Sequence, residues 1–174
     1  MAKRETPLKV AFIGTSCVGK TTLIEEYRTR FSNNPRFFIV NEAARTFFTR
    51  NPEVSNRFEK EAQSQVQVLV LEQEQKAHES GARVILCDRS VIDTVVYVRA
   101  NGDREGAAEL LNRVSFWLPT YSKLFLLNPA DVPYQIDNVR QEDEQIRQEF
   151  HNAYLEFFEE SGIQNLILIK KLPS

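Results

Sequence analysis

The chain has 174 residues, 42% hydrophobic and 26% charged, with a formal net charge of −2, which suits one globular domain with a real core rather than a disordered chain and advertises no broad basic face for nucleic acid, though an acidic total does not exclude a local basic patch. Two cysteines, Cys17 and Cys87, are too few for a disulfide framework or a cysteine-rich zinc site, and both fit as small buried side chains. The first ten residues lack a signal peptide's apolar segment and no run approaches the roughly twenty apolar residues of a membrane span, so a cytoplasmic location is expected.

In chain order, Leu8 to Ile13 (LKVAFI) is a short β-rich apolar run ending at a glycine, the pattern of a buried strand. Thr21 to Phe31 follows as a helix, with Leu23, Ile24, Tyr27 and Phe31 on one face and Asn33-Asn34-Pro35 as its stop. Arg36 to Val40 (RFFIV) predicts a second strand, followed by Asn41-Glu42. A long polar stretch from about Glu53 to His78 has helical spacing, with Ala62, Val66, Leu69 and Val70 as its stripe and Gly81 as its C-cap. Arg83 to Cys87 (RVILC) is continuously apolar, so an internal strand buried on both faces. Val91 to Ala100 predicts a helix and Lys123 to Leu127 (KLFLL) a fourth strand. In Asp143 to Glu160, Ile146, Phe150, Tyr154 and Phe157 recur at helical spacing. Gly162 stops that helix and Leu166 to Ile169 (LILI) closes the series. Strands alternating with helices mean a parallel sheet with helices on both faces, and ligands then bind at the carboxyl ends of the strands. That rule selects Gly14 to Thr21, Asn41-Glu42, Asp88-Arg89-Ser90 and the segment from Asn128 onward.

Gly14-Thr15-Ser16-Cys17-Val18-Gly19-Lys20-Thr21 fits G-x-x-x-x-G-K-[ST] at every required position, and it lies between a predicted strand and a predicted helix. The glycines let the backbone turn its N–H groups inward, and those groups with the helix N-terminus form a nest for a β-phosphate. The nucleotide contacts are expected from Gly14, Thr15, Ser16, Cys17, Val18, Gly19, Lys20, Thr21 and Thr22. Lys20 is placed to bridge the β- and γ-phosphates and the Thr21 hydroxyl to ligate Mg²⁺. ATP is the expected nucleotide, with GTP also compatible with the motif.

VILCD, a strand ending in an acid, supplies the second carboxylate: Asp88 holds Mg²⁺ directly or through water, or caps the next helix, and the two roles can coexist. Arg89 follows it where motor-type ATPases usually carry a glutamate, which argues against a mechanical ATPase. NPAD at Asn128 to Asp131 keeps the outer residues of the N-K-x-D guanine-reading motif but has Pro for Lys, so it is read as a coincidence. Protein-kinase signatures and zinc spacings around His78 and His151 are absent, and both histidines are read as solvated.

CDRS, with Tyr97 on the following helix, resembles the Asp/Glu-Arg-Ser segment of deoxynucleoside kinases and the Asp-Arg segment of thymidylate kinases. FIVNEAAR followed by CDRSVIDTVVYV more closely resembles the P-loop domain shared by ribosylnicotinamide kinases and the TRP-channel translocation-defect protein, the NadR-type AAA family. The likeness runs from about Lys9 to Ile169. It implies an α/β, three-layer P-loop NTPase fold, with a five-stranded parallel sheet flanked by helices and a short helical lid, as in small-molecule kinases. By the family pattern Glu42 is the base that accepts the acceptor hydroxyl's proton, and Arg89 contacts substrate or phosphate. The plain alternatives are an N-cap or an ion pair with Arg45 for Glu42, and an ion pair with Glu42 or Asp88 for Arg89. A lid over about 129–147 is implied by DNVRQEDEQIRQEF, which resembles the family's D-G-x-R-x-x-D stretch with Asn138 in place of Gly. Arg140 is its candidate for stabilising the transferring phosphoryl group. Arg147 has the weaker claim, because it can instead form a solvated pair with Asp143 or Glu144.

Two functions follow. In one, a single-domain kinase moves the γ-phosphate of Mg-ATP to a small-molecule hydroxyl, using Lys20, Glu42, Arg89 and Arg140. In the other, a nucleotide-dependent switch or slow NTPase acts through a protein or lipid partner. Arg45, Phe47, Phe48, Gln63, Gln65 and the helix after Ser90 are the candidate acceptor lining, with the alternative that both phenylalanines are core. No nucleic-acid partner is expected.

Overall fold

Side-chain alternation along five short strands decides the architecture. In the computed structural model, which describes residues 6–16, 18–133 and 143–169, β1 (Leu8–Ile13), β2 (Phe37–Val40), β3 (Val84–Asp88), β4 (Lys123–Leu127) and β5 (Leu166–Ile169) form one sheet. Its order is β2-β3-β1-β4-β5 and every pairing is parallel. Successive residues of a strand point to opposite faces. Ala11, Ile13, Val40, Ile85, Cys87, Leu124 and Leu126 accordingly join one cluster, while Phe12, Leu86 and Leu127 join another with Val18 and Ile24. The chain is thus an α/β protein of three layers, its sheet flanked, among the described residues, by six α-helices.

The small cluster packs on α1 (Lys20–Arg30), where Phe12 stacks on Phe125 at 5.5 Å and Tyr27 on Phe31 at 6.2 Å. The large one packs on α2 (Ala43–Arg50), α3 (Lys60–Glu79), α4 (Val91–Ala100), α5 (Arg104–Val114) and α6 (Glu144–Ser161). α4 is its middle helix. Eight of its residues, Val91 to Val98, are buried, which a helix tolerates only when neighbours enclose it on every side. Ser90 starts it with a capping box, its side chain taking the Ile92 N–H while the Asp93 carboxylate accepts from Ser90 N.

Two helices were not anticipated. α2 begins directly after Glu42, and Phe47 and Phe48 are its buried face at 7% and 6% exposure, so they are core. α5 follows Asp103, whose side chain accepts from Gly106 N at 2.7 Å. The long helix starts at Lys60 rather than near Glu53, because the residues before it are turns, one closed by the Asn56 side chain on Phe58 N at 3.1 Å. His151 is buried at 8% exposure rather than solvated, and burial holds its imidazole below the ordinary pKa. Among the described residues no helix is long and apolar enough to cross a membrane.

Register brings the functional ends together. Val40 pairs with Cys87 and Cys87 with Ala11, so Glu42, Asp88-Arg89 and Gly14 emerge along one edge of the sheet. Near the opposite end of β1, Lys9 is wholly buried against Glu74 of α3, Nζ to Oε2 2.6 Å. Removing one partner of such a pair strands the other's charge. Lys9→Met is expected to destabilise the protein by about 3–5 kcal/mol in denaturant unfolding, and Lys9→Met with Glu74→Gln to recover part of that loss. A single variant as stable as the parent would contradict the pairing.

Candidate active site

The turn from β1 into α1 is a phosphate loop by geometry as well as by sequence. Gly14 sits at φ 130°, and a Cβ there would lie 3.2 Å from the Leu127 carbonyl oxygen. Gly19 is the left-handed N-cap of α1 at φ 86°. That helix start has no side-chain cap and no acidic residue in its first turn, and Thr21 and Thr22 are exposed on it. Its amides and its positive dipole end are therefore available to an anion. α4 is the opposite case, since Val91 N donates to the Tyr121 hydroxyl at 3.1 Å and Ile92 N to Ser90 Oγ at 3.1 Å. Lys20 is 4% exposed and folds back on the loop, donating to Gly14 O at 2.9 Å and to Thr15 O. Burial, and secondly the Arg89 charge, lower its pKa from 10.5 to about 7.

Arg89 joins the loop to the carboxylates. Its Nε donates to Glu42 Oε1 at 2.8 Å, and its Nη1 to Gly14 O at 2.9 Å, Tyr97 Oη at 2.9 Å and Asp93 Oδ1 at 3.2 Å. Nη2 makes none of these bonds. Glu42 Oε2 lies 3.6 Å from Arg45 Nε. The Arg89 backbone is itself left-handed at φ 78°, fixed by its N–H to Phe12 O at 2.9 Å. Asp93 completes the group, accepting from Tyr154 Oη at 2.5 Å and Gly14 N at 3.4 Å.

Asp88 lies beside them at 6% exposure. Its Oδ1 is buried without a hydrogen-bond partner among the described residues, and burial, then the Glu42 charge, raise its pKa. A buried carboxylate oxygen left without a donor fits a cation ligand. No group of three or more His, Cys, Asp or Glu among the described residues could hold a metal alone. Mg²⁺ in a nucleotide site takes one or two protein oxygens and completes its shell with phosphate and water.

A family model described as an AAA domain matches residues 9–172. The chain belongs to this AAA domain family. A search of curated proteins found no matching sequence. Among solved structures it is similar to NadR protein in complex with NAD and AMP-PNP, at TM-score 0.74 and 16% identity over 96% of this chain and 45% of that one. NadR protein in complex with NR gives TM-score 0.75 and 15% identity over 96% and 45%. Thymidylate kinase from Candida albicans gives 0.67 and 14% over 97% and 86%. The chain thus spans under half the length of the NadR chains it matches, and likeness at these identities carries the fold, a P-loop kinase-like one.

Within this AAA domain the sheet edge gathers Gly14, Lys20, Glu42, Asp88 and Arg89. Cys17 and Arg140 lie outside the described residues. Arg89 pairs with Glu42 and Asp93 rather than with Asp88. Arg147 is not a solvated pair: it is 2% exposed, donating to Pro129 O at 2.9 Å and Val132 O at 3.0 Å besides Glu144. Asn128 turns its side chain onto Ala130 N at 3.0 Å, a local cap that accounts for NPAD without a guanine. Gln63 is spent on Arg57 O at 2.6 Å, and Gln65 is exposed. Asp93 and Tyr154 were missed. Ser90-x-x-Asp93 is a capping-box spelling that marks Asp93 as a helix-start residue, but its bond to Tyr154, 61 residues away, has no local signal.

The lowered Lys20 pKa carries a stability consequence. Below pH 7 folding must bury the Lys20 charge, and from about 7 to 10.5 it releases that proton, so the penalty is full at low pH and gone above the unfolded value. Lys20→Met is expected to raise the unfolding temperature of the nucleotide-free protein at pH 6, at roughly 2–4 °C per kcal/mol, and less at pH 9. A variant that melts below the parent at pH 6 would contradict the buried charge.

Proposed function

We propose that the chain is a small-molecule kinase that transfers the γ-phosphate of Mg-ATP, or of GTP, to an acceptor hydroxyl. The observation that carries this reading is the Arg89 side chain, bonded at once to Glu42 Oε1 and to the phosphate-loop carbonyl of Gly14. It sets a carboxylate one guanidinium away from the loop that grips the nucleotide. A structural switch needs no base at that place, whereas phosphoryl transfer to a hydroxyl does.

The loop amides and the α1 N-terminus would hold the β-phosphate, and Lys20 would leave Gly14 O and Thr15 O to bridge the β- and γ-phosphates. Thr21 and Asp88 would hold Mg²⁺, which when bound neutralises charge on the phosphate oxygens. Glu42 would accept the proton as the acceptor oxygen attacks phosphorus and the bond to the ADP oxygen breaks. Arg89 would bring its guanidinium charge to the transferring group. Arg140, in the lid expected from sequence, would add charge to the transferring group. Relatives bind NAD, NR or are named thymidylate kinase, so nucleosides and nucleotides are the first acceptors to try. The switch reading draws on the engagement of Glu42 by both Arg89 and Arg45, which fits a purely structural carboxylate.

ADP release from Mg-ATP, with and without a panel of nucleosides, nucleotides and NR, separates the two, with Lys20→Ala as the blank. A signal that needs one acceptor is the expected result, and a slow signal indifferent to all of them would move the function to the switch. Glu42→Gln is expected to lower acceptor-dependent turnover by about a hundredfold while ATP affinity is kept. Full turnover in that variant would remove Glu42 as the base. Because Lys20 is half-protonated near pH 7 and a bound triphosphate holds its proton, nucleotide affinity should fall as pH rises from 7 to 9. Calorimetry in two buffers should show proton uptake on binding, and a pH-independent affinity would refute the coupling.

A further inference from the structure

Glu74 is wholly buried on α3 and uses both carboxylate oxygens. Oε2 takes Lys9 Nζ and Trp117 Nε1, each at 2.6 Å, and Oε1 takes the Tyr121 hydroxyl at 2.6 Å. Lys9 Nζ also stands 4.0 Å from the centre of the Tyr121 ring and 4.6 Å from that of Trp117. None of these residues belongs to the site described above. A buried ion pair alone is weak ground for a role beyond stability. The second bond of Tyr121 is what gives this one direction.

A tyrosine hydroxyl has a single proton. With that proton committed to Glu74, which Lys9 supplies with a countercharge, the oxygen lone pairs face the other way and accept Val91 N at 3.1 Å. Val91 N is the first amide of α4 and Val91 is wholly buried, so no solvent can replace the bond. The two residues before it are Arg89 and Ser90, and Asp93 lies within the same turn. Thus a charge pair near the far end of β1 fixes, through one hydroxyl, the turn that carries Asp88 and the left-handed Arg89.

We infer that Tyr121, oriented by Glu74 and Lys9, is a positioning residue for the Asp88-Arg89-Ser90 turn, and so for the Mg²⁺ side of the nucleotide site. This rests on the nucleotide-site reading above. Trp117 provides the control, because it bonds the same carboxylate yet makes no bond to α4.

The test measures ADP affinity with Mg²⁺ and with EDTA for the parent chain, Tyr121→Phe and Trp117→Phe, together with amide exchange at Val91. Tyr121→Phe should lose about tenfold of the affinity that Mg²⁺ adds, as remote partners of metal ligands commonly do, with EDTA affinity unchanged. Its Val91 amide should exchange about fivefold faster or more, as expected for a lost hydrogen bond. Trp117→Phe should keep both. If Tyr121→Phe retains the full Mg²⁺ gain, or Trp117→Phe loses as much, the cluster only stabilises the fold and the inference falls. If the parent shows no Mg²⁺ gain at all, the nucleotide-site reading fails first and takes the positioning role with it.

Discussion

One buried guanidinium holds the functional edge of this protein together. Arg89 sits in a left-handed conformation that costs a non-glycine residue roughly 1–2 kcal/mol. In that conformation, right after β3, the side chain reaches across the ends of β1 and β2. There it meets Glu42, Gly14 O, Asp93 and Tyr97. Charge-assisted bonds of this kind offset the strain and the desolvation of the fork. Lysine has no fork, and its single ammonium cannot span these partners. The arrangement therefore explains why an arginine follows Asp88.

The same cluster sets the electrostatics. Lys20 and Arg89 face Glu42, Asp88 and Asp93, all at most 9% exposed. With Arg45 beside Glu42, three cations face three carboxylates in the nucleotide-free site, and an incoming triphosphate makes it short of positive charge. A divalent cation would resolve that shortage, and the Asp88 oxygen without a hydrogen-bond partner among the described residues suits one. The two helix starts divide the labour. α1 leaves its N-terminus uncapped for phosphate, while α4 is capped by Ser90 and Tyr121 and serves as a rigid base.

Much of this was legible in the sequence, for stated reasons. The strands announce themselves as short apolar runs because a parallel sheet is buried on both faces. The loop is legible because glycine takes the positive φ of its turn, at Gly14 and Gly19, at little steric cost. The helices α2, which has only eight residues, and α5, which opens directly after the turn residues Asn101-Gly102-Asp103, were not seen. Contacts between distant residues left no local mark. Lys9 on a strand start looks like a solvent-facing lysine until Glu74, 65 residues on, is found beside it. Arg147 likewise looks like half of a surface pair, yet it is buried against carbonyls 15 and 18 residues earlier.

A double-mutant cycle on unfolding free energy, with Arg89→Lys, Glu42→Gln and the combination, tests the central claim most directly. If the Arg89 fork couples the phosphate loop to Glu42, the two changes are strongly non-additive, with a coupling of about 1–3 kcal/mol. Additivity within about 0.5 kcal/mol would mean that the two side chains act independently, and the account of a single joined site would fail.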